Sequence, residues 1–371
     1  MNKICLIGSN GFISKNFLTQ DYLNNYNVIA INKKNLLKKT KHINDTNFLL
    51  HFAGTNRSSI KKDFLDSNIE LTKTLLKNIN VSKKPIIIYL STIKINEKNI
   101  YGITKKKGEK LLIDFCKKEK LSIYIYRLPN TFGKWSKPFY NSVVSTFCYS
   151  IINNINYENK DPNKVITMSY VGDIINSINK VVNKKKHQYK VSFKNDYKKY
   201  HVKLKKLEEI ILSFKDIRNN KSIDIFNSSF NRKLYSVYVS YFKKNNFFYK
   251  VESNEDDRGR FSEFLKSKNL GQVSAFTIKS KKIRGCHYHH YKTEKFLIMK
   301  GNYEVTYIDI SDRKNKFKKI FNDANSNVVE TIPGYYHEIK NIGKQDICVL
   351  LWSNEVFNPL KPDTYSLNEK I

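Results

Sequence analysis

At 371 residues the chain exceeds what one hydrophobic core usually serves, so two domains are expected. Its 40% hydrophobic and 13% aromatic content excludes a disordered polymer, because that much apolar side chain collapses into packed cores. The net charge of +34 is spread over short runs such as Lys33-Lys34, Lys38-Lys39 and Lys105-Lys106-Lys107 and forms no single patch, so it reads as a solvated surface that steers an anionic substrate, with no nucleic-acid partner.

The five cysteines (Cys5, Cys116, Cys148, Cys286, Cys348) contain no Cys-x-x-Cys pair and predict reduced thiols in a cytoplasmic protein. Residues from Met1 run directly into a strand with no leader-like segment, and no apolar run approaches the ~20 residues that span a bilayer. No membrane partner is therefore expected.

In chain order, Lys3 to Ile7 is a short apolar run ending at Gly8, the pattern of a buried parallel strand, with a helix expected over Phe12 to Leu23. Further strands are predicted at Val28–Ile31, Phe48–Phe52, Pro85–Leu90 and Ser122–Arg127, with helices over Asp63–Asn78 and Tyr101–Glu119. This alternation predicts an α/β domain with a parallel sheet covered on both faces. The first turn, Gly8-Ser9-Asn10-Gly11-Phe12-Ile13-Ser14, has glycines where backbone must approach a pyrophosphate at a helix N-terminus, and Ser14 at the third small position. The second strand ends in Asn32-Lys33-Lys34, with no carboxylate for a ribose diol and two ammonium groups suited to the 2'-phosphate of NADPH.

Tyr101 and Lys105 stand four residues apart on one helix face, where an ammonium can favour a phenolate for proton exchange with a carbonyl or carbinol oxygen. Ser91 and Thr92, at a strand end, each supply a hydroxyl for that oxygen, and spacing does not choose between them. Together with His51-Phe52-Ala53-Gly54, the stretch Arg127-Leu128-Pro129-Asn130-Thr131-Phe132-Gly133, and Tyr170-Val171-Gly172-Asp173, these motifs resemble the extended short-chain dehydrogenase/reductases, a Rossmann fold. The resemblance implies that Thr92 orients the carbonyl, Tyr101 is the acid, and Lys105 tunes Tyr101 and binds the cofactor. It also implies a cofactor site of Gly8, Asn10, Gly11, Phe12, Ile13, Asn32, Lys33, Ala53 and Gly54, and a sugar-nucleotide pocket including Arg57 and Asn130.

After Tyr200 the chain turns Lys-rich and helical, and from Val251 short strands dominate. A boundary near Asn245 gives a reductase domain at 1–244 and an all-β domain at 245–371. Gly285-Cys286-His287-Tyr288-His289-His290-Tyr291-Lys292-Thr293-Glu294 places His287 and His289 on one strand face by the period of two. Glu294 and the distant His337, after Pro333-Gly334, complete a three-His, one-carboxylate set suited to zinc or another divalent metal. The spacing resembles both motifs of the cupin superfamily, a jelly roll, with Ile332 where a further proline is usual. Asp257-Arg258-Gly259 and Arg284-Gly285-Cys286-His287 are similar to keto-sugar nucleotide epimerases, which implies substrate contacts at Arg258, Arg284 and His290. That similarity also makes His287 a candidate base, whereas the cupin pattern makes it a ligand; His290 or a tyrosine is the alternative base.

Taken end to end, including Gly133-Lys134-Trp135, Asn354-Glu355 and Pro362-Asp363-Thr364-Tyr365, the chain resembles the CapF-type bifunctional enzymes of UDP-N-acetyl-L-fucosamine synthesis in capsule formation. The resemblance implies a cupin that epimerises C3 of a UDP-linked 2-acetamido-2,6-dideoxy-4-keto-hexose, a reductase that then reduces C4 with NADPH to the L-talose product, zinc in the cupin, and a homodimer. Other readings are an NAD-retaining epimerase or dehydratase and a non-catalytic redox-sensing regulator.

Overall fold

The structure is a computed structural model, and it describes residues 1–32, 40–184, 188–219, 223–250, 254–256, 259–261, 271–322, 326–355 and 358–367. Lys33 and Arg258, two of the expected site residues, lie outside the described residues. The chain packs as two compact units, Met1–Val143 with Ile166–His201, and Val144–Val165 with Val202–Ile371.

The strands that build the first unit are β1 (Asn2–Ile7), β2 (Tyr26–Ile31), β3 (Phe48–His51), β4 (Ile86–Thr92), β5 (Ile123–Leu128), β6 (Asn130–Phe132), β7 (Val165–Tyr170) and β8 (Val191–Lys194); β9 (Tyr200–Lys203) follows. Six of them form one sheet in the order β2-β1-β3-β4-β5-β8, parallel throughout. Every position of β4 is buried, as a strand covered on both faces requires. Helices Leu71–Lys77 and Ile100–Lys118 bury Leu75, Leu112 and Cys116 against Leu49, Ile87 and Ile125 on one face. The second of these helices starts where Asn99 accepts the Gly102 amide and ends in Lys117 and Lys118, which complement its dipole.

The order of strands reverses direction at β1, so the crevice at the carboxyl ends of β1 and β3 is the topological place for a ligand. Gly8 makes that crevice close-set. Its φ is +93°, and a Cβ there would lie 2.7 Å from the Ala53 backbone. The first helix is shorter than expected, Phe12–Leu18, because the Thr19 hydroxyl and the Gln20 amide both donate to the Asn16 carbonyl and cap the turn. The helix expected over Asp63–Asn78 is interrupted by a π turn at Asp66–Glu70, where Asn68 donates to the Thr55 carbonyl and the Thr104 hydroxyl.

The second unit combines helices Leu204–Asn219 and Ser229–Val239 with β10 (Phe248–Lys250), β11 (Asn254–Asp256), β12 (Gly259–Phe261), β13 (Gln272–Ile278), β14 (Ile283–Tyr288), β15 (Glu294–Ile298), β16 (Tyr303–Asp309), β17 (Asp312–Phe321), β18 (Asn327–Glu330), β19 (Tyr335–Asn341), β20 (Ile347–Ser353) and β21 (Tyr365–Ser366). Two five-stranded antiparallel sheets result, β10-β18-β15-β20-β13 and β17-β16-β19-β14-β21. Their inner faces meet where the Tyr307 hydroxyl donates to the Glu330 carbonyl and Phe296 packs 6.0 Å from the His337 ring. An α/β N-terminal part followed by antiparallel sheets in the C-terminal part is the architecture that the sequence predicts, while the second unit also takes in the two helices.

The helices of this unit are fastened to the strands through one buried anion. Glu330, fully buried, accepts from Lys295 Nζ at 2.7 Å and Tyr235 Oη at 2.9 Å, and also from Arg218. Burial alone would push the carboxyl up, but Arg218 and Lys295 hold it down to about 2. Phe226 stacks on Trp352 beside this network, at 5.7 Å between ring centroids. Replacing Glu330→Gln leaves two buried cations without their counter-charge, and a loss of about 3–5 kcal/mol is expected from the shift in denaturant midpoint.

Candidate functional site

The carboxyl ends of β1, β3, β4 and β5 open onto a cavity of about 850 Å³ in the first unit. Asn10, Gly11, Phe12 and Ile13 from the glycine turn line it, as do Ala53 and Gly54 after β3, Thr92 after β4, Tyr101 and Lys105 on the following helix, and Arg57 and Asn130. Gly8 shapes the turn from behind and is not in the lining, and Asn32 directly follows the neighbouring β2. The tight cradle at Gly8, which a Cβ would fill, and the helix N-terminus at Phe12 fit the pyrophosphate of a nicotinamide dinucleotide.

The hydroxyl that spacing could not choose is distinguished by its partners. Ser91 Oγ donates to Glu109 Oε2 at 2.7 Å, and Glu109 also accepts from Arg127 at 2.5 Å, so Ser91 is engaged in a buried ion-pair network. Thr92 instead lines the cavity with Tyr101, and its Oγ1 accepts the Lys94 amide. Burial raises the Tyr101 pKa, the nearby Thr92 hydroxyl draws it back, and Glu97 raises it. Lys105 is buried, donates to the Leu90 carbonyl at 2.6 Å and sits 4.3 Å over the Tyr89 ring. Burial lowers its pKa to about 7, against the pull of Glu109 one turn along the helix. Glu109 escaped the sequence reading, although its place four residues beyond Lys105 is a helix-face signal of the kind that paired Tyr101 with Lys105.

Arg57 faces the cavity, but one arm of its guanidinium donates to the Phe139 carbonyl at 3.1 Å and to that of Tyr140. Tyr140 returns a hydrogen bond to the Arg57 carbonyl at 2.8 Å, so the two loops clasp each other at the rim. Asn130 is exposed and donates to the Thr167 carbonyl. Trp135, of the Gly133-Lys134-Trp135 motif, also lines the cavity, as do Phe64 and Lys137, which carried no motif in the sequence.

In the second unit, the ligand atoms of His287, His289, Glu294 and His337 all lie within 4.8 Å of one another. His287 on β14 pairs directly with His337 on β19, and Glu294 opens β15 in the opposite sheet, so both sheets contribute. His287 and His289 each engage a backbone carbonyl through Nδ1, those of Gly285 and Asp363, which leaves Nε2 of each for other bonds. Neither ring nitrogen of the buried His337 makes a hydrogen bond, though the Tyr335 carbonyl biases the ring electrostatically. Burial lowers the His287 pKa to about 4, with His289 adding to it; burial and the same neighbours hold His337 well below its ordinary value. Glu294 stays near 2 although burial opposes ionisation, because His289, Lys292 and His337 surround it. Three imidazoles, an ionised carboxylate and an orphaned buried nitrogen make a group that could hold a divalent metal.

Arg284 shares the ligand face because of a bulge. Gly285 and Cys286 both have positive φ, at 95° and 57°, and the register shifts there, so Arg284 lies opposite Ile339 while His287 lies opposite His337. Its guanidinium rests 5.5 Å over Phe276. His290 stands outside the four-ligand group, with its ring 4.9 Å from Tyr365 and 5.5 Å from Tyr288. All five cysteines are free thiols. Among the described residues no helix is long and apolar enough to cross a membrane.

Comparison with known proteins matches these two constellations to families. Residues 4–192 match the NAD dependent epimerase/dehydratase family, and residues 254–365 match the polysaccharide biosynthesis C-terminal domain. Over 368 residues the chain is 34% identical to a UDP-2-acetamido-2,6-beta-L-arabino-hexul-4-ose reductase of Pseudomonas aeruginosa, covering 98% of each. The crystal structure of the capsular polysaccharide assembling protein CapF from Staphylococcus aureus is similar over 99% of both chains, at 32% identity and a TM-score of 0.63. A UDP-glucuronic acid 4-epimerase of Bacillus cereus, solved with NAD, covers 57% of this chain and 84% of its own at 16% identity and a TM-score of 0.50, a likeness of fold alone. With a reductase-type cavity in one unit, a cupin-type ligand cluster in the other and full-length similarity to both relatives, the chain belongs to the CapF-type nucleotide-sugar epimerase/reductases.

Proposed function

We propose that the cupin-type unit epimerises C3 of a UDP-2-acetamido-2,6-dideoxy-4-keto-hexose and that the reductase unit then reduces the C4 ketone to give UDP-2-acetamido-2,6-dideoxy-L-talose, a precursor step toward UDP-N-acetyl-L-fucosamine for capsular or O-antigen polysaccharide. The observation that carries the reading is the convergence of Thr92, Tyr101 and Lys105 on the wall of the cavity that the glycine turn also lines. The name of the Pseudomonas aeruginosa relative, a reductase of a UDP-linked 4-keto sugar, supports the substrate. We take the domain boundary to lie near Asn245, between the two family matches, and expect a cytoplasmic homodimer.

On this reading NADPH supplies the hydride to C4 when bound. The lack of a carboxylate at Asn32 favours NADPH over NADH, and Lys33 would meet its 2'-phosphate. The Thr92 and Tyr101 hydroxyls hold the carbonyl oxygen, and Tyr101 gives up its proton to that oxygen as the carbinol forms. Lys105 offsets the charge left on the phenolate and holds the cofactor's ribose. Asn130 and the rim at Arg57 contact the sugar nucleotide.

Epimerisation removes the proton next to the ketone and returns it from the other face. Arg284, on the ligand face, and Arg258 supply positive charge for the enolate, and His290 beside Tyr288 and Tyr365 is the candidate base, since His287 is committed to the ligand set. A zinc ion held by His287, His289, Glu294 and His337 supplies a fixed double positive charge when bound.

The test is NADPH consumption with the keto-sugar generated in place by an upstream dehydratase, run in deuterated water with product analysis. Deuterium at C3 together with NADPH consumption supports the bifunctional reading; no consumption of NADPH or NADH by metal-loaded protein overturns it. Tyr101→Phe is expected to lower NADPH consumption by ~10²–10⁴-fold while leaving deuterium exchange at C3, and loss of both would contradict two separate sites. Thr92→Val is expected to slow the reductive step ~10²-fold, and a larger effect from Ser91→Ala would move the working hydroxyl to Ser91. For the ligand set, His289→Ala should abolish bound metal by elemental analysis; unchanged metal content would show that the ion is held elsewhere.

A further inference from the structure

The loop that joins one pair of the candidate ligands to a third is held in an unusual way. His287 and His289 stand before it, Glu294 stands at its end, and the five backbone amides of residues 290 to 294 are each received by a side chain. The His290 amide donates to Asp363 Oδ1 at 3.0 Å, and those of Tyr291 and Lys292 donate to Asp363 Oδ2 at 2.9 and 2.6 Å. The Thr293 amide donates to Asn354 Oδ1 at 3.0 Å and the Glu294 amide to Thr331 Oγ1 at 2.7 Å. Buried amides are ordinarily satisfied by backbone carbonyls of a ladder, so a loop satisfied by side chains takes its shape from the segments that carry them.

Asp363 contributes twice. Besides capturing three amides with its carboxylate, it accepts the His289 Nδ1–H at its own main-chain carbonyl, at 2.6 Å, which fixes the tautomer that leaves Nε2 for the ligand cluster. Asp363 is buried, and its φ of +40° turns the carboxylate and the carbonyl toward the same loop. The bond is reciprocal, because Lys292 Nζ donates to Thr364 Oγ1 at 2.7 Å and to the Pro362 carbonyl at 3.2 Å. Tyr365 then pairs with Tyr288 on β14.

We propose that Asp363 is a positioning residue of the metal centre: the Pro362–Tyr365 segment is the wall that presets the spacing of His287, His289 and Glu294, and the tightness of metal binding depends on it. This inference rests on the reading of the four residues as a metal site. A preset ligand set binds its ion without first ordering a loop, so loosening the wall acts chiefly on how fast the ion escapes.

The experiment uses the full chain loaded with zinc, and separately with cobalt. Zinc release into excess chelator is followed for the unsubstituted protein, for Asp363→Ala and Asp363→Asn, and for Val349→Ala, a fully buried core position on β20 opposite Ile298, at the end of β15 away from Glu294. Expected are release rates ~10–100-fold faster for Asp363→Ala, a smaller rise for Asp363→Asn, and altered visible bands of bound cobalt in both. Val349→Ala should lower the denaturant midpoint and leave the release rate alone. Should Asp363→Ala fail to fold, Asp363→Asn alone carries the comparison. Unsubstituted rates and cobalt bands in the Asp363 variants would overturn the positioning role while the metal site stands, as would equally fast release from Val349→Ala. A native protein that binds neither metal would overturn the site itself and this inference with it.

Discussion

A charge withdrawn from water must find its partner inside the protein, and the placement of Lys105, Glu330 and Glu294 is governed by that constraint. Lys105 is 4% exposed, and its ammonium has the Leu90 carbonyl at 2.6 Å, the Tyr89 ring beneath and Glu109 along the helix. Holding those partners in place requires β4 to end where it does and the Ile100–Lys118 helix to start at the Asn99 cap. The same two elements set Thr92 against Tyr101. On the proposed reading the catalytic geometry is a by-product of satisfying one buried cation, and Ser91, drawn toward Glu109, is part of that satisfaction.

The second unit solves the problem with opposite sign. Glu330 is neutralised by Arg218 and Lys295 and ties the helices to the strands, whereas Glu294 is surrounded by imidazoles and a lysine. The difference between the two anions lies in what remains unpaired. Around Glu330 the cations close the network with direct bonds. Around Glu294 the nitrogens of His337 have no hydrogen bond, and on the proposed reading an ion is the partner that the arrangement takes.

What could be read from the sequence was local. Gly8 and Gly11, the four-residue spacing of Tyr101 and Lys105, and the alternation of His287 with His289 each follow from the period of a turn, a helix or a strand. Glu294 and His337 were legible as completing a three-His, one-carboxylate ligand set, and the likeness to the cupin motifs agrees with that reading. Residues whose roles depend on distant partners were not legible. Nothing near Ser91 announces Glu109 or Arg127 as its partners, and Asp363 reaches amides more than 70 positions away. The shared face of Arg284 and His287 was hidden for another reason: strand alternation puts residues three apart on opposite faces, and only the bulge at Gly285 and Cys286 reverses that. The shortening of the first helix was equally unreadable, since Thr19 and Gln20 are ordinary helix residues until their side chains find the Asn16 carbonyl.

On the proposed reading, the pairing of the two chemistries in one chain follows from the ketone itself. The C4 carbonyl acidifies the proton at C3, so epimerisation works only while the ketone survives, and reduction removes the group that makes C3 labile. Reduction after epimerisation converts a reversible mixture of epimers into one configurationally fixed product, whereas reduction first would trap the wrong epimer. Selectivity thus falls on the reductase cavity, whose walls must reject the ketone that has not yet been epimerised. Tyr140 and Arg57 at its rim clasp each other through side-chain-to-backbone bonds beside Trp135, and a rim held in this way suits distinguishing two epimers of equal composition.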